Sequence, residues 1–258
     1  MFNFIKKGAR LKIIAYLTAG VVLVLAIVFN QSLKTLTCGI AFKRLPIYSV
    51  EREEKLVAIT FDCAWGNEYT QKLLQEMRLY DIKCTFFTVS FWAEKYSDDL
   101  KQIVEEGHEV GTHSKTHSYM SKQTAEQIDQ ELDYSCKVIE QITGQKVQLF
   151  RPPYGDYDDL LIERAEQMGL YTIQWDVDSL DWKDLSASQI AKRVISKVKN
   201  GSIILCHNNG LHTYESLPLI FADLTKKGYK FVKVSDLIYK ENYQMTVEGR
   251  QILKNEQN

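Results

Sequence analysis

The sequence has few features that would stabilise a chain by cross-linking or by repetition. It has 258 residues but only five cysteines, an odd number whose spacings show no paired motif, which argues against a disulfide framework. No segment repeats at a fixed period and none is of low complexity, so repeat architectures are excluded. With 45% hydrophobic residues, the chain can fill the core of one large α/β domain or of two small ones.

Acidic residues are missing from the first 50 positions, which hold seven Lys or Arg. The rest of the chain carries 25 basic and 33 acidic residues and is therefore acidic. Because binding to a phosphate backbone needs a basic face, this balance argues against nucleic acid as a partner.

Charged residues are also missing from residues 13–29, IIAYLTAGVVLVLAIVF, a run that follows four basic residues. Its 17 residues lie at the short end of what spans a bilayer. The basic flank predicts that residues 1–12 are cytoplasmic and that the rest of the chain lies outside the cell membrane, as in a single-pass protein. A cleaved signal peptide is the alternative, but no small-x-small site follows Phe29 directly, so we predict an uncleaved anchor.

Strand-like and helix-like segments alternate through residues 55–240, which we predict to be the folded domain. Seven apolar runs resemble buried strands: 56–62, 83–89, 108–113, 148–152, 171–177, 202–207 and 230–234. The alternation implies parallel strands joined by right-handed crossovers, in either a barrel or a doubly wound sheet. We interpret residues 30–54 as a linker and residues 241–258 as a tail.

Ionisable residues follow five of these seven strands. The carboxyl ends of parallel strands carry the chemistry of α/β folds, so these side chains are expected to meet at one rim. They are Asp62, His113 with His117, Arg151, the group Asp176, Asp178 and Asp181, and His207. The two histidines of HSKTH would share one side of a helical turn and suit one metal ion, for which zinc is a natural candidate.

Five motifs in order, TFDCAWG, HSKTH, RPPYG, DSLDW and LCH, resemble those of the polysaccharide deacetylase family, also called the NodB-homology domain or carbohydrate esterase family four. The resemblance runs from residue 56 to about residue 237, and TFDCAWGNE is similar to a branch linked to spore formation. It implies a distorted barrel of seven β/α units. It also implies metal-dependent removal of N-acetyl groups from amino-sugar polymers, here N-acetylglucosamine or N-acetylmuramic acid of the peptidoglycan cell wall.

The resemblance implies catalytic roles for four positions. Asp62 would be the general base that takes a proton from the attacking water, and His207 the general acid that protonates the departing amine. Arg151 would hold Asp62 in place, and Asp178 would orient and charge His207. These roles are those that amide hydrolysis needs.

The resemblance also implies a metal site and a sugar groove. His113 and His117 would bind a divalent metal, zinc or else cobalt or manganese, which can activate water and stabilise an oxyanion. The backbone N–H of Tyr154 would support that oxyanion. Side chains suited to line the groove or to stack on sugar rings are Tyr154, Trp182, Leu205 and Trp65.

Cys63 is the departure from the pattern, since it stands where the family has an Asp that binds the metal. Cys63 is either a third ligand, as thiolate in a site selective for zinc, or a bystander, with waters completing a two-histidine site. In a third interpretation the metal site is lost and the protein is a silent, membrane-tethered glycan-binding protein. The presence of Asp62 and of the three histidines favours an enzyme, although hydrolysis of another acylated amine stays open because loops set substrate choice.

Overall fold

The computed structural model describes residues 43–254, and the chain divides after Lys43 into two units, of which the second begins at Arg44. The predicted cytoplasmic segment 1–12 and the predicted span 13–29 lie outside the described residues. Within residues 43–254, none of the helices has both the length and the apolar character that crossing a membrane requires.

An open half-barrel of parallel strands forms the centre of the second unit. The strands along the described chain are β1 Ser49–Val50, β2 Leu56–Cys63, β3 Thr85–Thr88, β4 Glu109–Thr112, β5 Leu149–Phe150, β6 Tyr171–Thr172, β7 Val177–Asp178, β8 Ile203–His207, β9 Lys230–Phe231, β10 Tyr243–Met245 and β11 Arg250–Leu253. The sheet of the half-barrel has the order β6-β5-β4-β3-β2-β8-β7, with β9 paired to β2, and its edge strands β6 and β7 do not pair with each other.

Helices lie between most successive parallel strands, as the alternating sequence pattern predicted, and one more follows the last of these strands. They are α1 Thr70–Leu79, α2 Ser90–Lys95, α3 Ser97–Glu105, α4 Ala125–Thr143, α5 Asp159–Gln167, α6 Ala187–Lys197, α7 Thr213–Lys226 and α8 Val234–Leu237. Local capping contacts determine where the longest of these helices begins and ends. α4 begins at a capping box between Thr124 and Gln127 and ends at Gly144, whose φ is 70°, because a left-handed residue there satisfies the last carbonyls.

The side chains of β2 alternate between two apolar cores. Ile59, Phe61 and Cys63 belong to a larger core that includes residues of the surrounding helices, whereas Ala58 belongs to a smaller core. Both faces of the strand are therefore covered, which is why its sequence is apolar almost throughout. The same alternation separates Asp62 from its neighbour Cys63.

Residues 171–177, which we predicted as one strand, form two strands at opposite edges of the sheet. β6 pairs with β5, and β7 pairs with β8. Between them the Gln174 N–H donates to Ile47 O at 2.8 Å, and the Asp176 N–H donates to Ile203 O at 3.2 Å. The chain therefore crosses the opening of the half-barrel at this point.

Parts of the predicted linker and tail form a second, small sheet. β1 pairs in parallel with β11, which pairs antiparallel with β10. The Val50 N–H donates to Gly201 O at 2.9 Å. Gly201 has a φ of 79°, and a Cβ there would lie 1.7 Å from Val50 O, so only glycine allows this contact. Residues 49–50 and 243–253 thus belong to the folded unit.

Candidate active site

The carboxyl ends of the central strands open into one cavity of about 560 Å³, a size ordinary for small-molecule sites. Asp62 and His207 are register partners on β2 and β8 at its base. Of the residues to which the sequence assigned a catalytic, metal-binding or sugar-binding role, only Arg151 and Cys63 are not part of its wall, and of the other ionisable residues expected at this rim, Asp176 and Asp181 do not line it. The predicted residues that line it are Asp62, Trp65, His113, His117, Tyr154, Asp178, Trp182, Leu205 and His207.

Asp62 is a buried carboxylate held by Arg151. Arg151 Nη1 donates to Asp62 Oδ1 at 2.8 Å and to Thr60 Oγ1 at 2.7 Å. Burial alone would raise the pKa of Asp62, but the charge of Arg151, aided by that of His207, keeps this pKa below its ordinary value. The second oxygen, Oδ2, lies 3.5 Å from His113 Nε2. Asp62 is therefore ionised, fixed in direction and able to accept a proton.

His207 is held by Asp181 and not, as we predicted, by Asp178. The buried Asp181 carboxylate accepts the His207 backbone N–H at 2.7 Å, contacts His207 Nδ1 at 2.8 Å and accepts the Thr213 hydroxyl at 2.7 Å. Burial alone would lower the pKa of His207, but the hydrogen bond and charge of Asp181 raise this pKa above its ordinary value. This shift favours the protonated imidazole, the form that a general acid needs.

The register of β7 explains why Asp178 does not hold the ring. Asp178 pairs with Leu205, before the end of β8, and its carboxylate accepts the Leu180 N–H at 2.8 Å. Asp181 lies in the turn that follows and can reach back to His207. The signal for Asp181 was present as the second Asp of DSLDW, whereas Trp175 and Asn209, which also line the cavity, had no motif to mark them.

The two histidines of HSKTH lie in a loop and not in the helical turn that we predicted. Ser114 and His117 have φ values of 77° and 56°, and the two imidazole centroids are 4.9 Å apart. His113 Nδ1 lies 2.7 Å from Arg151 O, which leaves its Nε2 free for the cavity. Burial lowers the pKa of both rings, that of His117 to about 4, so both are neutral, the form that binds metal.

Aromatic rings surround His117 at the rim. The rings of Trp65 and Tyr154 lie 4.7 and 4.6 Å from it, each edge-on. Tyr119 stacks on Tyr154 at 4.3 Å. Together with Trp182, these side chains are about half exposed, so they present apolar faces of the kind that pack against sugar rings.

The structure does not bring Cys63 to the histidines. Its side chain is fully buried in the larger core, and its Sγ lies 3.9 Å from Phe61 O. Burial raises the pKa of the thiol well above its ordinary value, and the charge of Asp62 raises it further. Since Asp62 faces the cavity, its neighbour on the strand faces away. We therefore remove Cys63 from the predicted ligand set.

A divalent metal fits the two imidazoles, but residues 43–254 supply no third ligand. Within residues 43–254, no three His, Cys, Asp or Glu side chains form a group that could hold a metal ion. His113 presents Nε2, and buried His117 Nδ1 has no hydrogen-bond partner on another described residue, so both rings keep unused polar capacity. Two neutral imidazoles suit zinc, with water and substrate in the other positions.

Comparison with known sequences assigns the chain to a family. The profile of the polysaccharide deacetylase family matches residues 49–173. The chain is 33% identical over 196 residues to a peptidoglycan-N-acetylglucosamine deacetylase of Bacillus cereus, covering 74% of this chain and 92% of that protein. This chain therefore belongs to the polysaccharide deacetylase family.

Other similar sequences include an uncharacterised protein and a second peptidoglycan deacetylase. The chain is 36% identical to the uncharacterised protein YlxY of Bacillus subtilis over 75% of this chain and 60% of YlxY, so it spans less than two thirds of that relative. It is 29% identical to the peptidoglycan-N-acetylmuramic acid deacetylase PdaA of Bacillus subtilis, covering 77% of each.

A solved structure of similar fold is described as a pseudoenzyme. BA3943 of Bacillus anthracis, described as a CE4 family pseudoenzyme, superposes with a TM-score of 0.72 at 35% identity, covering 74% of this chain and 68% of that one. A BA3943 mutant described as having restored enzymatic activity also gives a TM-score of 0.72, at 36% identity and with coverage of 74% and 70%.

Proposed function

We propose that this chain is a hydrolase that removes N-acetyl groups from an amino-sugar polymer, namely the N-acetylglucosamine or N-acetylmuramic acid residues of peptidoglycan. The observation that carries the proposal is the pairing of two fixed groups, Asp62 held by Arg151 and His207 held by Asp181, at one cavity. Their pKa values are displaced in opposite directions. These shifts favour the ionised form of the base and the protonated form of the acid.

The reaction needs one proton removed and one delivered. Asp62 accepts a proton from the water that attacks the acetyl carbonyl carbon. When the carbon–nitrogen bond breaks, His207 donates its proton to the amine nitrogen, and Asp181 stabilises the imidazolium until then. The products are acetate and the free amino sugar. A divalent metal held by His113 and His117 would supply further activation of the water and stabilisation of the oxyanion.

The rim of the cavity and the N-terminal sequence favour a cell-wall substrate. Tyr154, Trp65 and Trp182 offer exposed aromatic faces beside the proposed base and acid. The anchor predicted at residues 13–29 would hold this rim outside the cell membrane, next to peptidoglycan. Relatives whose names give peptidoglycan as their substrate agree with this choice.

A second candidate is a silent glycan-binding protein. The observation in its favour is that Cys63 lies in the core and that the part of the chain described by the structure offers no other third metal ligand. The similarity to BA3943, described as a pseudoenzyme, points in the same direction. Such a protein would use the aromatic rim to hold glycan without cleaving it.

Acetate release from peptidoglycan separates the two candidates. The full chain, purified in detergent, is incubated with purified peptidoglycan and zinc, cobalt or manganese, and acetate and new polymer amines are measured. A deacetylase yields both in equal amounts. Binding of the polymer without acetate at any metal concentration would favour the second candidate.

The histidine pair gives the matched control for that assay. We predict that His113→Ala with His117→Ala lowers bound zinc to background and abolishes acetate release. His212→Ala should leave both unchanged, because His212 lies outside the cavity wall and contacts Glu215. An unchanged zinc content of the double variant would mean that the metal binds elsewhere.

A further inference from the structure

The loop that carries both histidines has a backbone that is unfavourable by itself. Ser114 and His117 adopt φ values of 77° and 56°, a left-handed conformation that residues other than glycine rarely adopt. Such a conformation persists only where surrounding contacts impose it. The contacts that impose it on this loop therefore determine where the histidines lie.

Glu131 of α4 supplies the principal contacts. Its carboxylate is buried, with only 8% of the residue exposed. Oε2 accepts the backbone N–H groups of Lys115 and Thr116, both at 2.9 Å, and Oε1 accepts the Thr116 hydroxyl at 2.7 Å. One carboxylate thus binds two consecutive amides between the two histidines.

A second contact from α4 reaches the start of the same loop. Thr112 Oγ1 donates to Ser135 Oγ at 2.6 Å and accepts the Ser114 N–H at 3.1 Å. The Ser114 hydroxyl in turn accepts the His117 N–H at 3.0 Å. The Ser114 N–H is therefore linked to α4 through Thr112, and the His117 N–H is held within the loop by Ser114.

His117 depends on this support more than His113 does. The ring of His113 is fixed by its own contact with Arg151 O at 2.7 Å. The ring of His117 has no such bond, since Nδ1 is buried without a partner on another described residue, and among residues 43–254 it is held by contacts with neighbouring rings. The position of the ring therefore depends on the conformation of the loop backbone, which Glu131 supports.

We propose that Glu131 is a positioning residue that fixes the His113–His117 loop and thereby sets the place of the His117 ring between Trp65 and Tyr154. Its effect on metal binding and turnover rests on the proposed function, whereas its effect on the place of the ring does not. Glu131 touches neither the cavity nor the reacting groups, so it acts only through the loop.

The test compares Glu131→Ala with a matched variant of the same helix. Glu140 also lies on α4 and also accepts a loop backbone N–H, that of Val147 at 3.0 Å, but on the approach to β5 and not at the histidines. Glu140→Ala is therefore the control for the loss of a helix-to-loop contact. Glu131→Gln can keep all three contacts, because its amide oxygen can accept both N–H groups and its NH₂ can donate to the Thr116 hydroxyl.

Two readouts are used on the full chain in detergent. The ring signals of the five histidines are recorded by NMR after labelling of histidine, since the nearby rings of Trp65 and Tyr154 make the His117 signal sensitive to displacement. The dissociation constant for Zn²⁺ alone is measured by competition with a chelator. Neither readout requires deacetylase activity.

We expect Glu131→Ala to shift the His117 signal and to weaken zinc binding by about tenfold or more, as loss of an outer support of a ligand does. Glu140→Ala should leave both within twofold, and Glu131→Gln should resemble the unsubstituted chain. An unmoved His117 signal and unchanged zinc affinity in Glu131→Ala would overturn the proposal. If Glu131→Ala does not fold, Thr116→Val decides instead, with a smaller shift of the His117 signal expected and no shift contradicting the proposal.

Acetate release by the same proteins keeps the two proposals apart. If the His117 signal shifts in Glu131→Ala while the unsubstituted chain releases no acetate with any metal, the positioning role stands and the proposed function fails. If the unsubstituted chain releases acetate and Glu131→Ala keeps its His117 signal and full turnover, the positioning role fails and the proposed function stands.

Discussion

Asp62 and Cys63 are neighbours on β2 that have opposite surroundings. Asp62 faces the cavity and is bonded to Arg151, whereas Cys63 is packed in the apolar core. At the scale of single residues, the alternation of one strand therefore decides which side chain can do chemistry. A thiol in an apolar site stays protonated and is a poor metal ligand.

We predict that Cys63→Ser leaves zinc affinity within twofold but lowers the free energy of unfolding by about 1 kcal/mol or more, because a hydroxyl in this core is poorly hydrogen-bonded. Cys206→Ser is the matched control, since Cys206 is equally buried in the same core. The two variants should lose similar stability in chemical denaturation. Zinc binding weakened tenfold in Cys63→Ser alone would show that the thiol binds the metal after all.

The pH profile of kcat/KM tests the link between Asp181 and His207. A general acid works while protonated, and Asp181 raises the pKa of His207, so activity should fall as pH rises through a value above the ordinary pKa of histidine. Asp181→Asn removes that charge, and we predict that the falling limb moves to lower pH. The rising limb depends on Asp62, whose pKa lies below its ordinary value, and should not move.

Asp178→Asn is the control for this profile, because Asp178 acts on His207 only through its charge and without a hydrogen bond. Its falling limb should move less than that of Asp181→Asn. A larger shift in Asp178→Asn would return the orienting role to Asp178.

At the scale of elements, the close contact of β1 with the start of β8 supports the half-barrel from the end remote from the site. A Cβ on Gly201 would lie only 1.7 Å from Val50 O. Gly169 has a similar φ of 75° but nothing within 4 Å of its Cβ position. Substitution of Gly169 therefore measures the cost of the left-handed backbone alone, whereas substitution of Gly201 adds the cost of a steric clash.

We predict that Gly169→Ala lowers the free energy of unfolding by about 1–2 kcal/mol, the cost of a left-handed residue, and that Gly201→Ala lowers it by clearly more. Denaturant titration of the two full-length variants measures the difference. Equal losses of unfolding free energy would mean that β1 can move away from residue 201 without cost and contributes little to the stability of the half-barrel.

The order of strands and helices could be predicted from the sequence because buried parallel strands are continuous apolar runs. The break inside residues 171–177 could not, since Tyr171 to Val177 is apolar enough for one strand and only tertiary pairing divides it. The pairing of residues 49–50 with 250–251 was also hidden, because two-residue strands carry no periodicity.

Most of the candidate site could be predicted because strand ends in a parallel sheet converge. The choice between Asp178 and Asp181 could not be made from spacing, since it depends on how far the turn after β7 reaches back over His207. The position of Cys63 depends on which side of β2 its side chain points to at the end of the strand. The support by Glu131 depends on a contact between α4 and the HSKTH loop, which are separated in sequence. Tertiary geometry alone reveals these three features.

At the scale of the whole molecule, two fixed ionisable pairs meet at one cavity that is ringed by aromatic side chains. Asp62 with Arg151 comes from β2 and the end of β5, and His207 with Asp181 comes from β8 and the turn after β7. The half-barrel brings these distant segments together, while the helices and the small sheet cover its cores. The central claim is that the two pairs form a base and an acid for amide hydrolysis.

Acetate release by Asp62→Asn tests that claim most directly. Asparagine can still accept the hydrogen bond of Arg151 but cannot take a proton from water, so fold and bound zinc should be unchanged while kcat for acetate release from peptidoglycan falls by about 10²-fold or more. Circular dichroism and metal analysis of the same preparation check that the variant is folded and binds zinc, while its melting temperature should fall because buried Arg151 loses its counter-charge. Release within threefold of the unsubstituted chain would contradict the account.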